Sequence, residues 1–338
     1  MKSPKVNIFV PLYNSENTIR DTLNSLLHQS YDNFSIIISD NHSTDNSLKI
    51  INDFGDERIR VVKTPFFSEN GEDNWNRCID LSDEEFTALL HSDDIYHKDF
   101  LQNQVSNLLS NENIAISFTE GNNIDINGNY LRELKTPNAM NFQNLSFKDL
   151  YPLILKNYNF IIMPSLVFRT EYFKENNFYW NYNEFKTSSD LALWLEISLK
   201  YKVSFIKKNL ISVRQSSVQI SSKVRDNTSQ SDFFLVLDRF SKYFSINKKN
   251  SKFVKLNTDL LKTRDNLRIL CNLIYLNQNK FLSESFSGAL NLNIILKSYK
   301  KKYMSHLLLY IVLRFFNLIG LNKINYNIVS YLKKKYLI

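Results

Sequence analysis

Two adjacent carboxylates, Asp93 and Asp94, follow a short apolar stretch at residues 86–91 that has the composition of a buried strand. Like charges side by side repel each other, so this pair needs a cation or hydrogen-bond donors nearby. Hard oxygen ligands of this kind suit Mg²⁺ or Mn²⁺, which commonly bind one or two carboxylates together with substrate phosphates. A simpler interpretation is a helix N-cap, because a helix is predicted to begin near Lys98.

Polar residues also follow two earlier apolar stretches of the chain. Residues 6–11 lead into Tyr13, and residues 34–39 lead into Asp40 and a polar turn. Ligands of open α/β sheets bind at the carboxyl ends of the strands, so we expect these residues to gather with the carboxylate pair at one edge. Core packing is an equal alternative for Tyr13. An Asx-type turn is the alternative for Asp40, although Asp40 ends the strand before the turn begins.

Alternating apolar and helix-like segments predict an α/β fold with a doubly wound, mostly parallel sheet. The predicted strands lie at residues 6–11, 34–39, 59–63, 86–91, 114–119, 160–168, 203–206 and 210–214. The predicted helices follow Ser15 and lie at residues 45–54, 74–81, 98–109, 170–176 and 190–200. The Asn127-Gly128 pair predicts a hairpin turn. Asp190 opens the last of these helices, where capping is one role open to it.

The chain of 338 residues carries a net charge of +8, and this charge is unevenly distributed. From residue 241 onward there are 18 Lys and Arg against 3 Asp and Glu, which leaves 24 against 31 in the first 240 residues. The sequence therefore predicts a mildly acidic body at residues 1–225 and a helical, Lys-rich extension at residues 226–338. A nucleic-acid-binding protein is not expected, because its positive charge would lie on the folded body.

The extension contains an apolar stretch at residues 307–321, between lysine groups at residues 300–302 and 333–335. This stretch is too short to cross a bilayer, and no run of 18 or more apolar residues occurs in the sequence. Each lysine near an anionic membrane contributes about 1 kcal/mol, so the stretch predicts an interfacial helix. A helix packed on the body or on a second copy of the chain is the alternative. Cys78 and Cys271 are predicted to be buried free thiols.

Five short segments occur in a fixed order: VPLYN (10–14), SDNHSTDNS (39–47), NWNRCIDL (74–81), LHSDDIY (90–96) and SSDLALWLEI (188–197). Together they resemble the GT-A fold glycosyltransferases of family 2, over roughly residues 5–225. An NWN segment followed by an LHSDD segment is similar to bacterial enzymes that build capsule, O-antigen or related surface polysaccharides. Each motif is weak by itself, so the resemblance rests on the ordered set.

The resemblance implies a nucleotide-sugar site at the predicted sheet edge. Pro11 and Tyr13 would border the nucleobase, and Asp40 would accept a hydrogen bond from the base or its ribose. Asp93 would hold the ribose or the sugar and would share a divalent cation, Mn²⁺ or Mg²⁺, with Asp94. A UDP-sugar is the favoured donor.

The resemblance also implies a catalytic base. The family's base is the second acid of a Glu-Asp pair at the start of a later helix, and that position is Asp190 in this chain. One carboxylate that accepts the proton of the acceptor hydroxyl suits direct, inverting attack. Glu184 is the next candidate if Asp190 does not act as the base.

The sequence departs from the family pattern at three places. Ser189 replaces the Glu of the Glu-Asp pair, and residues 70–72 read Asn-Gly-Glu where a basic residue near the pyrophosphate is common. The family's Arg-x-His pattern reads Arg-Gln-Ser at residues 214–216, so Arg214 alone is expected to bring positive charge to the nucleotide sugar. These departures support an alternative, a non-catalytic sugar-nucleotide or glycan-binding subunit of a polysaccharide assembly complex.

The resemblance thus predicts a metal-dependent, inverting glycosyltransferase that acts on a hydroxyl of a growing glycan or a lipid-linked acceptor. With the basic extension it predicts a cytoplasmic enzyme, with peripheral attachment to the cytoplasmic face of the bacterial inner membrane as an option. Nucleic acid is not an expected partner, and association of two copies of the chain is left open.

Overall fold

The computed structural model describes residues 3–137, 144–215, 227–276, 308–309, 311–313, 315–316 and 322–336. The chain divides into two compact units, Met1–Ser216 and Ser217–Ile338. The predicted boundary after residue 225 falls within residues 216–226, outside the described residues, and stays a prediction.

The first unit contains a ten-stranded sheet. Its strands are β1 (Val6–Leu12), β2 (Phe34–Asp40), β3 (Ile59–Lys63), β4 (Phe86–Leu89), β5 (Ile95–Tyr96), β6 (Ile114–Ile124), β7 (Tyr130–Leu134), β8 (Asn144–Leu145), β9 (Leu166–Arg169) and β10 (Lys202–Arg214). The order across the sheet is β3-β2-β1-β4-β9-β6-β10-β5, with β7 paired to β6 and β8 paired to β10.

The α/β fold is as predicted, but the sheet is mixed. Strands β3, β2, β1 and β4 run parallel, as do β6 and β10. Strand β9 is antiparallel to both of its neighbours, and β5, β7 and β8 also pair antiparallel. The parallel arrangement predicted from the sequence therefore holds for the first four strands and for the β6–β10 pair, and the other strands make the sheet mixed. Strands as short as β5 and β8 show no periodicity in the sequence, and β7 follows β6 through a tight turn that permits only antiparallel pairing.

Eight helices accompany this sheet in the described part of the first unit. They are α1 (Ile19–Leu27), α2 (Ser47–Asn52), α3 (Gly71–Leu81), α4 (Phe100–Leu109), α5 (Phe147–Asn157), α6 (Thr170–Asn176), α7 (Tyr182–Phe185) and α8 (Ser189–Lys200). The predicted strand at residues 160–168 begins only at Leu166, because Met163–Ser165 forms a 3₁₀ turn around Pro164. The predicted hairpin at Asn127-Gly128 joins β6 to β7, and Gly128 adopts the positive φ of 87° that such turns require.

The central strands β1 and β4 are buried along nearly their whole length, as strands covered on both faces must be. On one face Val6, Ile8 and Val10 of β1 pack with the apolar sides of α1, α2 and α4. These three side chains share a face because successive side chains of a strand point to opposite faces of the sheet. The opposite face carries an aromatic cluster in which Trp194 of α8 meets Phe118 of β6 edge to face. The sheet is thereby covered on both faces, so its carboxyl edge is the part open to a ligand.

The second unit is helical where it is described, as predicted. It contains α9 (Phe233–Phe244), α10 (Lys248–Tyr275) and α11 (Asn322–Tyr336). Leu270 of α10, Leu313 and Val329 of α11 belong to one buried apolar cluster. Most of the predicted apolar stretch at 307–321 lies outside the described residues. None of the helices described here is long and apolar enough to cross a membrane.

Both cysteines, Cys78 and Cys271, are buried and free, as predicted. Burial raises the pKa of the Cys78 thiol to about 12. A thiol this weakly acidic is almost entirely protonated at neutral pH and has little nucleophilic character.

Candidate functional site

The carboxyl ends of β1, β2 and β4 lie together at one edge of the sheet, as predicted. Side-chain hydrogen bonds connect the turns that follow these strands. Asn14 after β1 accepts the Thr44 backbone N–H after β2 at 2.8 Å, and its own N–H donates to Ser43 Oγ at 3.2 Å. The Ser15 and Ser92 hydroxyls are 2.8 Å apart. These cross-links fix the three strand ends relative to one another.

Asp40 is the last residue of β2, and only 1% of its surface is exposed. Its Oδ1 accepts the backbone N–H of Ser43 at 3.0 Å, so the Asx-type turn is present. Its Oδ2 is buried and has no hydrogen-bond partner among the described residues. A buried acceptor without a donor is costly, so this oxygen is suited to a donor supplied by a ligand.

Tyr13 lies directly after β1 with 49% of its surface exposed, which rules out the core-packing alternative. Its ring centroid is 5.2 Å from that of Phe67, at an interplanar angle of 52°. Phe67 is also exposed, in the loop after β3. Pro11 is half-buried within β1, opposite Ser39 of β2. Phe67 was not predicted as a site residue from the sequence, although it is one of two adjacent phenylalanines in a polar loop.

Asp94 is fully buried. Its Oδ1 accepts the backbone N–H of Arg214 at 2.8 Å, while its Oδ2 has no hydrogen-bond partner among the described residues. Burial, and next the charge of Asp93, raise the pKa of the Asp94 carboxyl well above its usual value. The N-cap position of α4 is Asp99, so neither member of the carboxylate pair caps that helix. The capping alternative is therefore wrong for Asp93 and Asp94.

His91 completes a group of three residues with Asp93 and Asp94, and their potential ligand atoms lie within 4.8 Å of one another. His91 Nδ1 is 3.9 Å from the unpaired Asp94 Oδ2. Burial lowers the pKa of His91, which favours the neutral imidazole that binds metals. An unpaired carboxylate oxygen, a second carboxylate and a neutral imidazole fit a divalent cation. His91 was not predicted as a ligand from the sequence, although it lies two residues before the carboxylate pair.

Arg214 was predicted to contact the nucleotide sugar, and this contact stays a prediction. Only 3% of its surface is exposed. Its guanidinium donates to the Asp93 carbonyl at 2.9 Å, to the Ile126 carbonyl at 2.7 Å and to Asp21 Oδ2 at 3.1 Å. These hydrogen bonds brace the turn that carries the carboxylate pair.

Asp190 lies in the first turn of α8, and the N-cap of that helix is Ser188. Asp190 is half-buried, and its Oδ1 accepts the Leu191 backbone N–H at 2.6 Å. Burial, and to a lesser extent the charge of Glu72, raise the pKa of Asp190 to about 6. Ser188 thus occupies the N-cap position without a side-chain capping hydrogen bond, and Asp190 lies one residue inside the helix with its pKa raised toward neutral pH.

Helix α3 connects the carboxylate pair with Asp190. Trp75 stacks on His91, with ring centroids 6.0 Å apart and planes 19° from parallel. Glu72, three residues earlier and therefore on the same side of the helix, lies beside Asp190. Asn74 exchanges hydrogen bonds with Ser39 of β2, at 2.5 and 2.9 Å. The NWN segment thus attaches α3 to the sheet edge and aligns the two parts of the site.

The family described as "Glycosyl transferase family 2" matches residues 7–185 by its sequence profile. This match covers more than half of the chain and contains the sheet edge together with α3. The chain therefore belongs to glycosyl transferase family 2.

Relatives with assigned names come from bacterial polysaccharide synthesis. The UDP-Glc:alpha-D-GlcNAc-diphosphoundecaprenol beta-1,3-glucosyltransferase WfgD of Escherichia coli is 35% identical over 37% of this chain and 47% of its own length. The putative teichuronic acid biosynthesis glycosyltransferase TuaG of Bacillus subtilis is 34% identical over 34% of this chain and 46% of its own length. The matched region thus spans less than half of either relative.

Solved structures share the fold. Staphylococcus aureus TarS 1-349 in complex with UDP-GlcNAc has a TM-score of 0.55 and 15% identity, over 98% of this chain and 92% of that one. The mannosyltransferase PcManGT of Pyrobaculum calidifontis, in complex with GDP-Man and Mn²⁺, has a TM-score of 0.52 and 12% identity, over 98% and 87%. These similarities confirm the predicted GT-A fold.

Proposed function

We propose that this chain is an inverting, cation-dependent glycosyltransferase that moves a sugar from a UDP-sugar to a hydroxyl of a glycan or lipid-linked acceptor in surface polysaccharide synthesis. The observation that carries the proposal is the pair of unpaired, buried carboxylate oxygens, Asp40 Oδ2 and Asp94 Oδ2. A sheet edge that leaves two such acceptors without donors is suited to a ligand that brings a donor group and a cation.

A UDP-sugar is supported as the donor by the named relatives. The E. coli relative is named for UDP-Glc, and the TarS structure contains UDP-GlcNAc. In this chain, Tyr13 offers an exposed ring face to a base, and Asp40 Oδ2 offers an acceptor to the imide N–H that uracil carries. The diphosphoundecaprenol in the name of the E. coli relative supports a lipid-linked acceptor.

His91, Asp93 and Asp94 are the residues that would hold a divalent cation, Mn²⁺ or Mg²⁺. When bound, such a cation neutralises negative charge on the leaving diphosphate without any proton transfer. Arg214 contributes indirectly, because its backbone N–H and guanidinium fix the turn that carries both carboxylates.

Asp190 is the proposed general base. At neutral pH a carboxyl with a pKa of about 6 is largely ionised and able to accept a proton. The acceptor hydroxyl gives its proton to Asp190, and the oxygen of that hydroxyl forms a bond to the anomeric carbon. The bond from that carbon to the diphosphate breaks, and its electron pair leaves with UDP. Attack from the face opposite the nucleotide inverts the anomeric centre.

The test is transfer from a panel of UDP-sugars to a lipid-linked acceptor, with Mn²⁺ or with EDTA, in the parent chain and in Asp94→Asn. We expect sugar transfer only when the cation is present. Asp94→Asn should reduce transfer by at least about 100-fold and should abolish the cation dependence of UDP binding. Asp99→Asn removes a more exposed carboxylate from the same stretch of chain and should keep transfer within about twofold. Cation-dependent UDP affinity that is unchanged in Asp94→Asn contradicts the assignment.

The rival function is a non-catalytic subunit that binds sugar nucleotides or glycans. The internal use of the Arg214 guanidinium favours it, because that charge is not directed at a phosphate. The same panel separates the two functions, since a binding subunit retains cation-dependent UDP affinity and forms no product with any donor.

We also propose that the Lys-rich extension contacts an anionic membrane surface. Leu308, Ile311 and Phe315 expose about half or more of their surfaces within this unit, and lysines at residues 333–335 follow. Sedimentation with phosphatidylglycerol vesicles should exceed that with phosphatidylcholine vesicles, and should fall when Lys333, Lys334 and Lys335 are changed to Gln. Membrane contact is contradicted if the parent sediments equally with both kinds of vesicle and the lysine variant sediments as the parent does.

A further inference from the structure

Glu72 and Ser189 join the amino-terminal turns of two helices that are far apart in sequence. Glu72 lies in the first turn of α3 with 8% of its surface exposed, and Ser189 opens α8 with 2% exposed. The Ser189 hydroxyl donates to Glu72 Oε1 at 2.9 Å. The residue that departs from the family's Glu-Asp pair therefore makes a buried contact with a carboxylate from another helix.

The surroundings of this contact are negative. Burial raises the pKa of Glu72, and Asp73 raises it further, whereas the Ser189 hydrogen bond lowers it. The charge that acts on Asp190 is that of Glu72. The charged residues of the short turns before α8, Glu184 and Lys186, are exposed. A buried carboxylate beside a second carboxylate is unfavourable for folding, so its presence here calls for a functional reason.

We propose that Glu72 is a positioning residue for Asp190, and that the Ser189 hydroxyl holds the Glu72 carboxylate where its negative charge favours proton uptake by Asp190. This inference rests on the proposed role of Asp190 as the base. Before proton transfer the two carboxylates repel each other. Once the acceptor O–H bond has broken and the proton has bonded to a carboxylate oxygen of Asp190, only Glu72 is charged and the repulsion is gone. Glu72 therefore makes Asp190 a stronger base.

Glu72→Gln is the variant that tests this. Gln keeps the shape of Glu and can still accept the Ser189 hydrogen bond, but it removes the negative charge. Because Asp190 must be ionised to act, kcat/KM decreases at pH values below the pKa of Asp190. We expect the acid limb of the kcat/KM profile to move to lower pH by about half a unit to one unit. On the neutral plateau kcat should fall by a few-fold, while the KM for the donor and the affinity for UDP stay unchanged.

Asp73→Asn is the matched control, because Asp73 carries the same charge in the same helical turn but is exposed and directed to Ser68. Its acid limb should stay where the parent's is. An acid limb that does not move in Glu72→Gln, or that moves equally in Asp73→Asn, overturns the proposal.

A second readout does not depend on turnover. The Asp190 carboxyl carbon can be titrated by NMR in the full chain labelled with ¹³C-aspartate, and Asp190→Asn identifies its signal. The midpoint should be lower in Glu72→Gln than in the parent. Ser189→Ala should lower it by less, since loss of the hydrogen bond leaves Glu72 more protonated. An unchanged midpoint in both variants overturns the proposal. A shifted midpoint in a chain that transfers no sugar supports the coupling and contradicts the proposed function.

Discussion

The carboxylates in the two parts of the candidate site differ in their hydrogen-bond partners. At the strand ends, Asp40 and Asp94 each have one oxygen bonded to a backbone N–H and one oxygen without a partner. At the helix ends, Asp190 accepts from a backbone N–H and Glu72 accepts from a hydroxyl, and neither has an oxygen that is buried and unpaired. The first part lacks donors, and the second carries a proton equilibrium close to neutral pH.

This difference assigns separate tasks to the two parts. Unpaired acceptors fixed by cross-linked strand ends are suited to binding, because a ligand repays the cost of leaving them unsatisfied. A carboxyl whose pKa is raised by burial is suited to proton transfer, because a general base works best when its pKa lies near the working pH. Substitutions at the strand ends should therefore change affinity, and substitutions at the helix ends should change rate.

Asp40→Asn is expected to weaken UDP binding more than a substitution of a fully paired carboxylate in the same turn. Asn can still accept from the Ser43 N–H, but it places an amide donor where Asp40 offers an unpaired acceptor. The Kd for UDP, measured by calorimetry with Mn²⁺, should rise by about 10- to 100-fold.

Asp45→Asn is the control for this substitution. Asp45 lies in the same turn, but both of its oxygens already accept backbone N–H groups, from Glu16 and Ser47. Its UDP affinity should stay within about threefold of the parent's. Equal losses of affinity in Asp40→Asn and Asp45→Asn would remove the distinction between paired and unpaired acceptors.

Asp190→Asn should change the free energy of unfolding, by less than Asp40→Asn changes the free energy of UDP binding. The pKa of Asp190 is raised from 3.8 to about 6, so between these values the folded chain holds a proton that the unfolded chain has lost. The free energy of unfolding therefore falls as pH rises through this window. Asn does not ionise, so near neutral pH the variant should be more stable by about 1–2 kcal/mol, with the difference disappearing toward about pH 4.

Urea denaturation at both pH values measures this difference. A variant that is less stable than the parent near neutral pH but not near pH 4 would show that Asp190 supports the fold through its charge, contrary to the raised pKa.

The proximity of the residues that follow β1, β2 and β4 was predictable from the sequence. Apolar strands followed by Tyr13, Asp40 and the Asp93-Asp94 pair have a recognisable local pattern, and parallel strands bring their ends together by geometry alone. The helical extension and the buried cysteines were predictable for the same reason, because each depends on local composition.

The remaining features depend on contacts between distant residues. Strand β9 inserts between β4 and β6, and no local pattern in its four residues indicates its direction. The contact of Glu72 with Ser189 spans 117 positions. The carbonyl groups that accept hydrogen bonds from Arg214 belong to the backbone, so no sequence pattern displays them.

The most direct test of separate binding and proton-transfer parts is one pair of measurements on Asp190→Asn: UDP affinity with Mn²⁺, and sugar transfer to the acceptor near neutral pH. Asn keeps the Leu191 hydrogen bond and cannot accept the proton. We predict an unchanged Kd for UDP and transfer reduced by about 10²- to 10⁴-fold, the usual cost of losing a general base. Transfer within a few-fold of the parent, or a loss of transfer accompanied by a loss of UDP affinity, would contradict the assignment of separate binding and proton-transfer parts.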